Sequence, residues 1–155
     1  SKNPLEIVAV DFPPLFVTVI HPQIEIKTSY AREILPKNVP LYDAVEQWSN
    51  IAALVAALMK KDCELIGRCL EDKIVEPVRK KLIPHFDDLK RESLQAGALG
   101  GGISGAGPSV FMFSETVETA EKVGEKMREI YSQTEIDFNI YVSPINKQGI
   151  TLRNS

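Results

Sequence analysis

The sequence predicts an α+β domain in which an antiparallel sheet carries helices on one face. Strand-like runs rich in Val, Ile and Phe stand near the start of the chain, near residue 110 and near residue 140. Long stretches with the 3.6-residue apolar period lie between them. The order is strands, several helices, strand, helix, strand. That is no regular alternation of strand and helix, so a doubly wound parallel sheet is a poor fit.

Each element has its own signal. Ile7–Val10 and Leu15–Ile20 read as strands separated by the turn signal "DFPP". Ile24 and Ile26 alternate with Glu25 and Lys27, as in a short half-buried or edge strand. From Leu41 to Lys60 apolar residues recur at Leu41, Ala44, Val45, Trp48, Ile51, Ala52, Val55, Leu58 and Met59. This is a helix, and Pro40 suits its first turn. Trp48 on that stripe reads as core or interface. Asp62 can cap a second helix with Leu65, Ile66, Cys69 and Leu70 inward. Phe86 to Ala96 is a third helix, stopped by Gly97. The adjacent Asp87 and Asp88 in its first turn read as partners of the helix dipole. Ser109–Phe113 is a strand. Ala120, Val123, Met127, Ile130 and Tyr131 mark the core stripe of a fourth helix. Phe138, Ile140 and Val142 alternate in a last strand, and the tail from Asn146 reads as loose.

Composition narrows the function. The 155 residues suit one domain, with 44% hydrophobic and 25% charged residues. A net charge of −3 is no footprint for nucleic acid. The longest apolar stretch, Ile51–Met59, is too short to cross a bilayer, and no signal-peptide pattern is visible. Cys63 and Cys69 read as free buried thiols, which suit a cytoplasmic setting. His21 and His85 each neighbour a proline and lack ligand-spaced partners, so turn or surface roles are expected and no metal site is assigned. The chain opens "SKNPLEIVAV" without an initiator Met, which suggests a fragment of something longer.

The stretch "GGGISGAGPSVF", Gly100 to Phe111, is the densest local signal. Five glycines fall between Gly100 and Gly107. Bare backbone lets N–H groups converge on an anion, and Ser104 and Ser109 add hydroxyls. The alternative is a packing loop that lets two elements approach closely. The stretch lacks the Gly-Lys-Ser/Thr ending of a Walker A loop, and it leads into a strand, so it is no dinucleotide fingerprint.

"GISGAGPSVF" resembles the third signature motif of the GHMP kinases, in the form found in homoserine kinases. "TSYAREILP" (Thr28 to Pro36) and "EPVRKKLIP" (Glu76 to Pro84) are similar to further segments of that family. The likeness runs from roughly Pro22 to Phe113. It implies a four-stranded antiparallel sheet in a ferredoxin-like C-terminal domain. It also implies an activity: transfer of the γ-phosphoryl of ATP to the hydroxyl of L-homoserine, in threonine biosynthesis. The family's Pro-x-x-x-Gly-Leu-Gly-Ser-Ser phosphate loop occurs nowhere in these residues. ATP and Mg²⁺ are therefore expected on an N-terminal half outside this sequence, no catalytic residue is assigned here, and the chain is expected to be inactive alone.

The resemblance assigns the remaining roles. Thr28, Arg32, Arg79 and Gly105 would contact homoserine, the arginines by pairing with its carboxylate. Gly102, Ser104, Gly105, Ala106, Gly107 and Ser109 would support the phosphate loop of the other half. From the residues alone, either arginine could be a surface group or pair with an acid such as Glu33 or Glu76. Expected partners are homoserine, the N-terminal half and a second copy of the chain. A stand-alone amino-acid-binding regulatory domain of ferredoxin-like fold remains the alternative.

Overall fold

The computed structural model describes residues 7–149. Strand β1 (Phe16–Pro22) is followed by five helices, α1 (Thr28–Glu33), α2 (Leu41–Lys60), α3 (Cys63–Cys69), α4 (Glu76–Arg79) and α5 (Phe86–Gln95). A 3₁₀ turn, Lys80–Leu82, extends α4. Strands β2 (Gly100–Ile103) and β3 (Val110–Ser114), helix α6 (Val117–Tyr131) and strand β4 (Phe138–Pro144) complete the fold. The four strands form one antiparallel sheet in the order β2-β3-β1-β4. The α+β class with a four-stranded antiparallel sheet is thus as the sequence predicts.

Alternation along the strands sorts the sheet into two faces. Thr18, Ile20 and Pro22 of β1 and Val110, Met112 and Ser114 of β3 are buried. They meet Phe86 and Leu89 of α5 and Val123, Met127 and Tyr131 of α6, which form the main core. The Thr18 hydroxyl donates to the Ala120 carbonyl at 2.7 Å, and Tyr131 donates to the Pro84 carbonyl at 2.6 Å. Both bonds tie α6 to its neighbours and leave no polar cost for burying those hydroxyls. A second, smaller core joins α2 to α3 through Leu15, Ala57 and Ile66, with Leu54, Leu58 and Leu70 packed around them.

The caps follow the sequence. The Asp62 side chain accepts from the Leu65 N–H at 3.0 Å, and Thr116 accepts from the Thr119 N–H at 3.2 Å. Gly97 takes φ +101 just past α5, where a side chain would be strained.

Several expectations change. Ile7–Val10 form no strand, and Ile7 and Val8 are each 83% exposed. Strand-like residues make a strand only where a ladder partner is met, and among the described residues this run pairs with neither edge of the sheet. Ile24 and Ile26 are half-buried in alternation as predicted, but they lie in a loop leading into α1. Trp48 is not core: it is 62% exposed, because α2 meets the domain through Leu54, Ala57 and Leu58 on its other side. Of the thiols, Cys69 is buried but Cys63 only half so, and both are free. At the tail, Asn146 donates to the Gly149 carbonyl at 2.6 Å and accepts from the Gln148 N–H, so Asn146–Gly149 is a closed turn. The rest of the tail lies outside the described residues.

Candidate functional site

The glycine stretch divides into two parts with different physics. Gly100–Gly102 are strand β2, and their bareness serves packing. A Cβ on Gly101 would sit 2.0 Å from the Phe111 carbonyl oxygen, and one on Gly100 would sit 2.9 Å from the Gly67 oxygen. On Gly102 it would come within 2.8 Å of the Glu76 carboxylate. Ser104–Ser109 form the loop between β2 and β3. The Ser104 N–H donates to the Ser109 carbonyl at 2.8 Å and the Gly107 N–H to the Ser104 carbonyl at 3.0 Å, which closes the loop on itself. The Gly107–Pro108 peptide is cis.

The tip of that loop is open. Ser104 and Gly105 are exposed, and a Cβ on Gly105 would have nothing within 4 Å. Gly105 and Gly107 take φ +60 and +85, conformations that favour glycine. Among the described residues the Gly105 and Ala106 amides donate to no acceptor. At the loop's exit the Ser109 hydroxyl shares a 2.8 Å hydrogen bond with Nδ1 of His21 on β1. His21 is therefore a support for the loop, a role its sequence neighbours do not signal.

Arg79 connects the loop to the rest. It stands in the last turn of α4. Its Nε donates to the Ala31 carbonyl of α1 at 3.1 Å, and its Nη1 donates to the Gly105 carbonyl at 2.9 Å. A planar guanidinium can hold two elements in fixed relation in this way. Two of its five N–H groups are thereby used, and the other three have no partner among the described residues. Thr28 and Arg32 stand one helical turn apart on α1, both exposed. Neither Arg32 nor Arg79 forms an ion pair among the described residues.

A cleft of about 410 Å³ opens beside the loop, with Arg79, Gly102 and Gly105 on one side and Gln47, Ile51 and Leu54 of α2 on the other. Glu71, Asp72 and Glu76 add acidic character to it. Gln47 accepts from the Lys73 N–H at 2.9 Å, and Asp72 accepts from the Ile74 and Val75 N–H groups, each at 2.8 Å, in the segment that leads into α4. Glu76 pairs with Lys90 of α5. Burial pushes its carboxyl above the ordinary range against the opposing pull of Lys90, and Asp72 and Glu71 add to the rise. Sequence alone offers Glu76 only as a possible partner of Arg79. The structure gives it to Lys90 and aims it at the bare backbone of Gly102. Its position three residues before Arg79, on one helical face, is the available signal.

The structure thus brings Arg79, Gly102 and Gly105 to one cleft and ties α1 to them. Thr28 and Arg32 do not line the cleft; they stand on the helix that Arg79 anchors. Among the described residues no three His, Cys, Asp or Glu side chains gather as a metal site, and no helix is long and apolar enough to cross a membrane.

Comparison with known proteins follows the same segments. The family described as "GHMP kinases C terminal" matches residues 54–133. Homoserine kinases of Chlorobium phaeobacteroides, Chlorobaculum tepidum and Pyrococcus abyssi are 48%, 47% and 38% identical over 152, 152 and 143 residues. These matches cover 96%, 96% and 92% of this chain but 48%, 47% and 47% of the relatives. The chain therefore spans about half the length of the curated relatives it matches. A crystal structure of homoserine kinase from Cytophaga hutchinsonii matches with a TM-score of 0.92 at 48% identity, over 96% of this chain and 48% of that one. A Streptococcus pneumoniae phosphomevalonate kinase structure, at 17% identity and a TM-score of 0.70, covers 90% of this chain and 43% of its own and shares the fold.

Proposed function

The chain belongs to the GHMP kinase family, as its C-terminal domain, and on that premise we propose that it is the substrate-side half of a homoserine kinase. In this reading the intact protein transfers the γ-phosphoryl of ATP to the hydroxyl of L-homoserine, in the cytoplasm, for threonine biosynthesis. One observation carries it. Three segments far apart in the sequence converge on one guanidinium: Arg79 itself, Gly105 of the glycine loop, and Ala31, the neighbour of Arg32 on α1.

The chain's own residues do the positioning. Phosphoryl transfer depends on placement and on neutralising charge. Arg32 and the three uncommitted N–H groups of Arg79 supply fixed positive charge for the substrate carboxylate. Thr28 offers a hydroxyl on the same face as Arg32. The open space over Gly105 gives substrate and the neighbouring half room to approach, and the free Gly105 and Ala106 amides are donors for an anionic group. Gly102, Ser104, Gly107 and Ser109 hold the loop that presents them.

The acids of the cleft do not fit a Mg²⁺ site. One Asp72 oxygen serves two backbone amides and Glu76 serves Lys90. ATP and its metal belong, in this reading, to the other half of the protein, and no step here runs through them.

The test is steady-state kinetics on the intact protein. Arg32→Ala and Arg79→Ala each lower kcat/KM for homoserine by about tenfold to more than a hundredfold, the cost of a lost charge-assisted contact of ~1.5–3 kcal/mol. The KM for ATP stays near wild type. The 155-residue chain alone turns over no ATP with homoserine. Wild-type homoserine kinetics in both variants would return the arginines to the surface. Homoserine binding by the chain, with no phosphotransfer by the intact protein, would favour the regulatory alternative.

A further inference from the structure

Arg79 stands on a helix that cannot hold itself in place. Helix α4 has four residues, far too few to be stable without packing. Just beyond it the chain is fixed in the main core, by buried Ile83 and by the Pro84 carbonyl that Tyr131 bonds. Just before it lies the connector from Leu70 to Val75, which has no regular structure. Residues 71–74 make no hydrogen bond to other backbone among the described residues. Backbone groups that leave secondary structure need other partners, and here side chains serve. The Glu71 carbonyl accepts from the Asn50 side chain at 3.2 Å, and the Lys73 N–H donates to the Gln47 side-chain oxygen at 2.9 Å. Both partners come from α2.

We propose that Gln47, with Asn50 beside it, is a positioning residue for Arg79. The path between them is continuous. Gln47 fixes the Lys73 amide. The Asp72 carboxylate, one residue earlier, fixes the Val75 amide at 2.8 Å. The Val75 carbonyl receives the Arg79 N–H at 3.0 Å. The Arg79 guanidinium then reaches the Ala31 and Gly105 carbonyls. A shift of the connector therefore moves the backbone of Arg79, and its guanidinium can no longer meet both carbonyls and a substrate carboxylate at once. A planar, forked donor tolerates such misplacement poorly.

The helix is placed for this. Gln47, Asn50 and Leu54 are spaced by three and four residues and so share one face of α2. Leu54 packs into the second core, which anchors that face, and Gln47 and Leu54 line the cleft opposite Arg79. One wall of the cleft thus holds the segment that carries the other. The Lys73 ammonium adds ion pairs to Glu46 and Glu71, at 3.3 and 2.8 Å. These groups are partly exposed, so the pairs contribute little and the neutral amide bonds carry the role. The inference rests on the reading of Arg79 as a substrate contact, and adds that its placement is set from α2.

The experiment is a double-mutant cycle on the intact protein, read by steady-state kinetics, with circular dichroism melting as the control for folding. Leu at position 47 keeps the helix propensity of Gln and has no acceptor. Gln47→Leu raises the KM for homoserine about two- to tenfold, the loss of one hydrogen bond, and leaves kcat and the KM for ATP near wild type. Asn50→Ala raises it about twofold. In the Arg79→Ala background Gln47→Leu has no further effect, because the group it positions is gone. Hydrogen exchange over residues 71–79 quickens in Gln47→Leu, while β1 and β3 exchange as in wild type. Wild-type homoserine kinetics in Gln47→Leu, where Arg79→Ala is impaired, overturns the positioning role and leaves the kinase reading standing. A loss that recurs in full in the Arg79→Ala background overturns it too, by showing that Gln47 acts elsewhere. Wild-type kinetics in Arg79→Ala overturns the reading of that arginine, and the positioning role with it. If Gln47→Leu does not fold, Asn50→Ala carries the same cycle. Loss of folding in both overturns the proposal, because the contacts then hold the fold rather than one side chain.

Discussion

Gly105 and Arg79 divide the site's work between freedom and constraint. The Gly105 carbonyl is held by Arg79 at 2.9 Å, yet the space where its side chain would stand is empty. A substitution there therefore meets no neighbour within the chain and suffers only from φ +60. Left-handed backbone costs an L-residue about 1–2 kcal/mol. Gly105→Val should lower homoserine-dependent kcat/KM by about tenfold or more, because the new side chain fills the approach to the loop. The melting temperature should fall only slightly, at ~2–4 °C per kcal/mol for a domain of this length. Kinetics and melting on the same variant decide it. Equal collapse of both would make Gly105 structural, and unchanged kinetics would remove the loop tip from substrate recognition.

At the level of whole elements, α3 and β2 depend on glycines of the opposite kind. A Cβ on Gly67 of α3 would stand 2.4 Å from the Leu99 carbonyl oxygen, and one on Gly101 would meet the Phe111 oxygen still closer. Backbone cannot yield as a flexible side chain can. Gly67→Ala should destabilise the fold by about 1–3 kcal/mol or more despite its better helix propensity. Asp62→Ala, which removes the α3 cap, should cost about 1 kcal/mol. Urea unfolding with a common m-value measures both. A Gly67→Ala protein as stable as wild type would mean that α3 can move away from β2, and the close approach would then explain nothing about the glycine.

For the domain in its entirety, Tyr131 reports on the main core. Burial pushes its phenol from 10.0 up to about 12, and its hydroxyl donates to the Pro84 carbonyl. The folded state keeps this proton where the unfolded chain has released it. Folded protein therefore binds more protons between those two values, and stability falls as pH rises through the window. The contribution is intact below about pH 10 and declines by at most ~1.4 kcal/mol per pH unit above it. Tyr131→Phe should cost about 1 kcal/mol at neutral pH through the lost hydrogen bond. Its stability should then fall less steeply than wild type between about pH 10 and 11. Lysines titrate in the same range in both proteins, so the difference between the two urea series is the readout. Parallel curves would show that the phenol titrates alike in folded and unfolded chains.

Elements whose signals are local were legible in the residues alone. The apolar period sets α2 and α6, Asp62 sets the start of α3, Gly97 sets the end of α5, and alternation sets β1, β3 and β4 to within a few residues. The resemblance leads one to expect the three family-like segments at one site; Arg79, Gly102 and Gly105 share a cleft, while Thr28 and Arg32 stand outside it on α1. Whatever depends on distant partners waits for the folded chain. Gly100–Gly102 carry almost no strand propensity, and β2 exists because Gly102 and its neighbours pair with β3 and lie against α3 and Glu76. Ile7–Val10 have strand-like residues but pair with no strand among the described residues. The α2 period shows an apolar stripe but cannot say which side meets the core, and the packing of α3 on Leu54, Ala57 and Leu58 turns Trp48 outward. By sequence, Arg79 is a free cation or half of an ion pair. Its hydrogen bonds to the Ala31 and Gly105 carbonyls, 48 and 26 residues away, follow only from the folded path of the chain.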